Sequence, residues 1–312
     1  MSSSTAQQTP PTLCILAPVY HPYRWVAPHL QRCLAEFWPD HPPLFFCGLT
    51  AEEAGSLPVL PLKSAHLPRA WAAFVRDAID ELSSRGFTKC YLILEEHLPL
   101  DQCHSAHLNH TLPRLLDDLD AAYIGLMGWD NRRYATRAPI LGADRFHFMH
   151  LTPPSAPRFH LHPSLWRIEA LRACLDLTLQ DDTHTPWRFE KIAERADAKL
   201  PERWKKGCYQ VCGRELSARK FTAWETFIRR AKRAIFLKLM SVFPLLPQGL
   251  GKAYWHAVGF DRFIFEGPYP MFFSGVMAKG GLNSYFVDYM KSQPHHHALI
   301  DALLAARASH TP

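Results

Sequence analysis

The amino-acid sequence predicts an α/β fold, with a mostly parallel central sheet and flanking helices, followed by a helical and loop-rich C-terminal extension. Three observations carry that expectation. Over residues 13–94, short apolar runs alternate with stretches of helical period, which is the rhythm of β-α-β units. Residues 90–94 are apolar without interruption, as in a central strand buried on both faces. Finally, 47% of the 312 side chains are hydrophobic, enough to bury a large core.

In chain order, residues 1–12 are polar and read as a disordered lead-in. They lack a basic segment ahead of a long apolar run, so no signal peptide is expected and the protein is expected in the cytoplasm. Residues 13–18 form a first strand ended by Pro18, and Val26, Leu30, Cys33, Leu34 and Phe37 then recur at helical spacing. A second strand is expected at 44–47, a weak third at 58–60 and a helix over 70–82. On that helix Trp71, Phe74, Val75, Ala78, Ile79 and Leu82 share one face. After the strand at 90–94 come a helix at 108–119, a strand at 122–127 and an edge strand or hairpin at 145–150. Helices are expected at 165–175 and at 185–196, the second with Pro186 in its first turn, and a short strand at 208–212. These elements make one domain over residues 13–215, without an internal repeat.

Residues 216–290 read as an extension packed on that domain, and 291–312 as a C-terminal tail. The extension opens with a helix over 217–243 carrying Arg219, Lys220, Arg229, Arg230, Lys232, Arg233 and Lys238 against Glu225 alone. Its apolar stripe is Trp224, Phe227, Ile228, Ala231, Ile235, Leu239 and Met240. Such a helix either packs on the sheet, the preferred expectation, or makes peripheral contact with an anionic membrane. The apolar stretch 234–246 is too short and too charged to span a bilayer.

The net charge of +6 is a mild surplus that suits an anionic small molecule, and no nucleic-acid partner is expected. Eight cysteines, without a CxxC pair, are expected as reduced thiols. Cys208 and Cys212 lack the second pair that a structural zinc needs. His104, His107 and His110 drift around a helix and suit its polar face, and His295, His296 and His297 suit a solvated tail. Lys279-Gly280-Gly281 matches neither a P-loop nor a dinucleotide fingerprint.

Chemistry concentrates at Glu95-Glu96-His97, where charge appears abruptly at the carboxyl end of a buried strand. In open α/β sheets ligands bind along that edge. Two carboxylates and an imidazole offer donors for a divalent cation, Mn or Mg, which in turn neutralises a diphosphate; a solvated strand end is the plain alternative. Arg69 and Arg76, on or beside the preceding helix, are placed to reach phosphates or simply to face solvent. Glu190 stands next to Phe189 near a helix start, and apolar surroundings raise a carboxyl pKa, so it is the candidate base. Trp166 and Trp187 suit stacking on sugar faces, with anchoring of the core as the alternative role.

The helix and acid-ended strand of residues 70–100 resemble the segment of glycosyltransferase-A enzymes that presents Asp-x-Asp or Asp-Asp to a nucleotide-sugar diphosphate. Glu95 and Glu96 stand here in place of aspartates. Further on, His162-Pro163-Ser164-Leu165-Trp166-Arg167 and Thr185-Pro186-Trp187-Arg188-Phe189-Glu190 are similar to a paired signature of a subset of bacterial glycosyltransferase-like proteins, with Arg188 replacing a glutamate. Together with Ile15-Leu16-Ala17-Pro18-Val19-Tyr20, the resemblance spans residues 13–215. It implies a nucleotide-diphospho-sugar donor held around Pro18, Tyr20, Arg69, Arg76, Glu95 and Glu96, and a cation on Glu96 and His97. It further implies a saccharide or lipid-linked acceptor against Trp166 and Trp187, with Glu190 as base. Two other readings stand beside it: a non-catalytic nucleotide-sugar-binding protein of the same fold, and a metal-dependent hydrolase built on Glu95, Glu96 and the nearby histidines.

Overall fold

The computed structural model describes residues 12–61, 70–127, 140–143, 146–151, 159–180, 185–186, 188–190, 204, 207–212, 224, 227–228, 231, 267–272, 275–278 and 280–310. Arg69, Trp187, the lead-in up to residue 11 and most of 191–266 lie outside the described residues.

Among the described residues eight strands form one sheet: β1 (Leu13–Pro18), β2 (Leu44–Cys47), β3 (Lys89–Leu92), β4 (Tyr123–Gly125), β5 (Ile140–Ala143), β6 (Phe146–His150), β7 (Ser164–Arg167) and β8 (Cys208–Cys212). Their order is β2-β1-β3-β7-β4-β8-β6-β5. β1 pairs in parallel with β2 and β3, and β4 with β8, whereas β7 and β6 run against their neighbours. The sheet is therefore mixed but mostly parallel in direction. The expected edge hairpin is β5–β6, and the weak strand at 58–60 is reduced to a single bridge between Phe46 and Val59.

Alternation along the strands sends side chains into two cores. Ile15, Ala17, Tyr91, Ile93, Ile124 and Leu165 pack under α1 (Ala27–Phe37) and α4 (Leu112–Asp118), the latter preceded by a π-helical turn at His107–Thr111. On the opposite face Cys14, Leu16, Cys90, Leu92, Tyr123 and Trp166 pack under α3 (Trp71–Ser84) and α5 (Ile168–Leu179), while the single-turn α2 (Ala51–Ala54) carries a capping box from Thr50 and Glu53. The apolar face expected for residues 70–82 is the buried face of α3, including Trp71, Phe74, Val75 and Leu82.

Four expectations are corrected. The segment 164–167 is not the start of a helix: it is β7, inserted antiparallel between β3 and β4, and α5 begins at Ile168. Both neighbours need backbone partners, and that tertiary demand overrides the local helical pattern. Trp166 is accordingly a core residue. It is fully buried, lies edge-on to Tyr123, packs near Phe159 and Phe189, and donates its Nε1–H to Ser164 Oγ at 2.9 Å, so it offers no face to a sugar. Arg76 reaches no phosphate site. It is tied to Asp80 on its own helix and, at 2.5 Å, to Asp176 on α5, so it braces the two helices that cover one face of the sheet.

The third and fourth corrections concern the C-terminal region. Residues 291–310 do not form a tail: α6 (Ser284–Ser292) leads through a short turn into α7 (His297–His310), which buries Leu299, Ile300 and Leu303 in the same core as Ile15 and Leu30, and His296 is buried at the turn. In the basic segment, Trp224 and Phe227 do not pack on the domain but are 67% and 61% exposed. The seven cysteines whose side chains are described are buried thiols outside any disulfide, in the small-apolar role expected of them.

Trp166→Ala should destabilise the protein by about 3–5 kcal/mol in urea titrations, as for other fully buried tryptophans, while Trp166→Phe should cost clearly less. A loss under about 1 kcal/mol would contradict its role as a core anchor.

Candidate functional site

A cleft of about 230 Å³ opens at the carboxyl ends of β1 and β3. Glu95, Glu96 and His97 form its floor, Tyr20 and Tyr23 one wall, and Leu161, His162, Pro186 and Glu190 the other, with Trp71 and Leu94 between them. Five sequence-singled residues, Tyr20, Glu95, Glu96, His97 and Glu190, meet here. Pro18 is buried at the end of β1 in register with Cys47 and does not line the cleft.

The fold explains the convergence. Backbone pairing of β1 and β3 continues past the strand ends, with Ile93 N–H donating to Leu16 O at 3.0 Å. The chain then turns at Leu94, whose carbonyl accepts from His97 N–H, and Glu95 points back so that its Oε1 accepts from Tyr20 N–H at 3.1 Å. That bond stitches the first acid to the loop after β1. Because β7 runs antiparallel, its amino end lies beside the carboxyl end of β3, in the register Leu92 with Ser164. The residues entering β7 are thereby brought across the floor: the rings of His162 and His97 are 5.4 Å apart, and those of His160 and His162 5.9 Å. Glu190, half-buried, is fixed to the same segment by accepting from Leu161 N–H at 2.7 Å through Oε1.

The C-terminal region braces the loop that carries the acids. Tyr269 O–H donates to His97 O at 2.7 Å, Leu100 N–H to Pro270 O at 2.9 Å, and Val276 N–H to Glu96 O at 3.0 Å. The Glu96 carboxyl itself accepts from Met277 N–H. Gly275 makes the turn with φ of +72°, and a Cβ there would sit 3.3 Å from Glu96 Oε2, so a side chain at this position would be strained and would crowd the acid.

Burial governs the electrostatics. Glu95 is 3% exposed, and desolvation, aided by the neighbouring Glu96 charge, pushes its pKa up to about 8 against the opposing Tyr20 N–H bond. Glu96 is pushed up to about 7 by burial, partly offset by Met277 N–H. Burial also lowers His162 to about 3 and His160 to about 4, and holds His97 well below its ordinary range, with the His162 ring adding to the effect. Near neutral pH the floor is a set of uncharged imidazoles, each with one donor and one acceptor nitrogen, beside a protonated carboxyl. His97 Nδ1 is buried without a hydrogen-bond partner among the described residues.

Among the described residues no group of three or more His, Cys, Asp or Glu side chains is arranged to hold a divalent cation, and Glu95 and Glu96 are each already engaged by a backbone N–H. Nor does any Lys or Arg appear among the described lining residues. Sequence reasoning missed Tyr23, Trp71 and His162 as lining residues. The spacing of His160 and His162, two apart just ahead of β7, was the available signal.

Each raised carboxyl holds its proton in the folded state above the pH at which the unfolded chain releases it. Between pH 4.5 and about 7 for Glu96, or about 8 for Glu95, stability therefore falls as pH rises, by up to about 1.4 kcal/mol per pH unit for each group. The lowered histidines act in the opposite sense, removing stability as pH falls from 6.5 toward about 4 for His160 and about 3 for His162. Melting temperature should therefore peak near pH 6.5, and Glu95→Gln, which keeps an acceptor for Tyr20 N–H, should flatten the alkaline limb. An unchanged alkaline slope in that variant would show that Glu95 is not held protonated. Comparison with protein-family models and with curated proteins finds no match to this sequence.

Proposed function

We propose that the protein is a glycosyltransferase of the glycosyltransferase-A type, moving a sugar from a nucleotide-diphosphate donor to a hydroxyl of a saccharide or lipid-linked acceptor. The observation that carries this reading is the convergence of Glu95, Glu96 and His97, Tyr20 and Glu190 from three separate sequence motifs in one cleft. Its position at the carboxyl ends of parallel strands is where α/β sheets bind ligands. Its volume of about 230 Å³ lies below the roughly 300–1,000 Å³ of pockets for drug-sized ligands, which suits one sugar unit better than a whole nucleotide sugar.

In this reading Glu190 removes the proton from the acceptor hydroxyl, whose oxygen bonds to the anomeric carbon. The bond from that carbon to the diphosphate oxygen breaks, and the electron pair leaves with the diphosphate. Glu95, protonated at neutral pH, donates a hydrogen bond or its proton to the departing oxygen, and Tyr20 and Tyr23 offer aromatic surface to the sugar. Among the described residues no group of three or more His, Cys, Asp or Glu side chains could hold a cation, and the steps above use the chain's own groups. The same observation favours, as a second reading, a binding protein of this fold without transfer activity.

Incubation with a panel of nucleotide-diphosphate sugars and simple glycoside acceptors, with and without Mn²⁺, should release nucleotide diphosphate. Glu190→Gln keeps the acceptor for Leu161 N–H and should lower that release by about 10²–10⁴-fold with the melting temperature unchanged. Unaltered turnover in this variant would remove Glu190 as the base. Thermal stabilisation by nucleotide diphosphates without any release would favour the binding protein.

A further inference from the structure

The chain carries a net charge of +6. Residues 217–243 hold seven basic side chains, Arg219, Lys220, Arg229, Arg230, Lys232, Arg233 and Lys238, and one acidic, Glu225. This segment thus contributes a surplus of six, equal to that of the whole protein, and the remaining residues balance to zero. In the middle of this charge stand the described residues Trp224, Phe227, Ile228 and Ala231, all helical. Their spacing of three, four and seven places them along one helix face. Ile228 and Ala231 are half-buried, whereas Trp224 is 67% and Phe227 61% exposed.

Two large aromatic side chains facing water forgo apolar burial, and such exposure beside a dense positive charge points to a partner that is apolar beneath and anionic above. We infer that Trp224 and Phe227 anchor the protein on the surface of an anionic lipid bilayer, with the surrounding Arg and Lys side chains meeting the headgroups. Trp and Phe set among many Arg and Lys in the sequence make up the composition of a helix lying in a membrane interface. The two rings stack on each other, with centroids 5.7 Å apart and planes at 19°, so they form one joint apolar wedge. Single-stranded nucleic acid, the other anionic polymer, is bound by ring faces open to its bases, and this pair covers one face of each ring with the other. No described helix is long and apolar enough to cross a membrane, and docking of this kind needs none. The inference stands apart from the chemistry proposed for the cleft, since lipid binding requires no turnover.

Co-sedimentation of the full chain with vesicles tests it. At about 0.1 M salt the protein should pellet with phosphatidylcholine–phosphatidylglycerol vesicles and not with phosphatidylcholine alone, and about 1 M salt, where charges are screened over roughly 3 Å, should release it. The double variant Trp224→Ser, Phe227→Ser, with an unchanged melting temperature expected from its exposed positions, should bind the anionic vesicles at least about tenfold more weakly. Failure to pellet with anionic vesicles at low salt, equal binding by the double variant, or retention by a single-stranded oligonucleotide instead of vesicles would each overturn the inference.

Discussion

The insertion of β7 between β3 and β4 is the constraint on which the rest of the architecture depends. A four-residue strand pairs on both sides, with Cys90 opposite Trp166 on one flank and Tyr123 opposite Trp166 on the other. Without it the sheet would fall into two halves, each with an unpaired row of backbone donors and acceptors in the interior, and such groups are costly to leave unsatisfied. Its reversed direction matters as much as its presence. An antiparallel strand at this place delivers its leading residues, His160 to Pro163, to the edge where the parallel strands on either side end. The same connection then releases α5 onto the face already covered by α3, where Arg76 joins the two helices through Asp176.

The cleft that results is unusual in its charge. Carboxyls normally stay at the surface or find cationic partners. Among the described residues neither the buried Glu95 nor the half-buried Glu96 has a cationic partner, and they are accommodated by keeping protons and by accepting from Tyr20 N–H and Met277 N–H. The neighbouring imidazoles are held neutral by the same desolvation. This arrangement costs stability, and the surrounding structure offsets it with two continuous cores, one on each face of the sheet. Polar groups kept neutral and aimed into a cleft are characteristic of sites that handle protons or hydroxyls.

The C-terminal region is part of this site and not an appendage. Tyr269, Pro270, Val276 and Met277 lie against the loop after β3, and Gly280 N–H donates to Tyr23 Oη at 3.1 Å on one wall of the cleft. The helices that follow bury Phe286, Met290, Leu299, Ile300 and Leu303 against the core under α1. The floor of the cleft is thus clamped by residues nearly two hundred positions apart in sequence.

Sequence alone determined the periodic elements and the acidic strand end. The continuous apolar run of β3, the one-sided face of α3 and the abrupt Glu95-Glu96-His97 are local patterns, and local patterns survive into the structure when burial along one element dictates them. The joining of Glu190 to that strand end rested on resemblance, and their meeting in one cleft became visible only in three dimensions. Tertiary structure alone decided the fate of the rest. Leu165 and Trp166 read as helix because apolar residues followed at helical spacing, yet they became strand because two neighbouring strands lacked partners. Trp166 lost any role in a binding site by that same pairing, and His162 acquired one. Arg76 became a brace because Asp176 lies opposite it on a helix one hundred residues away. Residues 291–310 look like a polar tail until the turn at His21–Val26 and the preceding helix supply the apolar surface that Leu299, Ile300 and Leu303 cover. In each case the deciding partner is distant in sequence, and no local pattern encodes which surface a residue will meet.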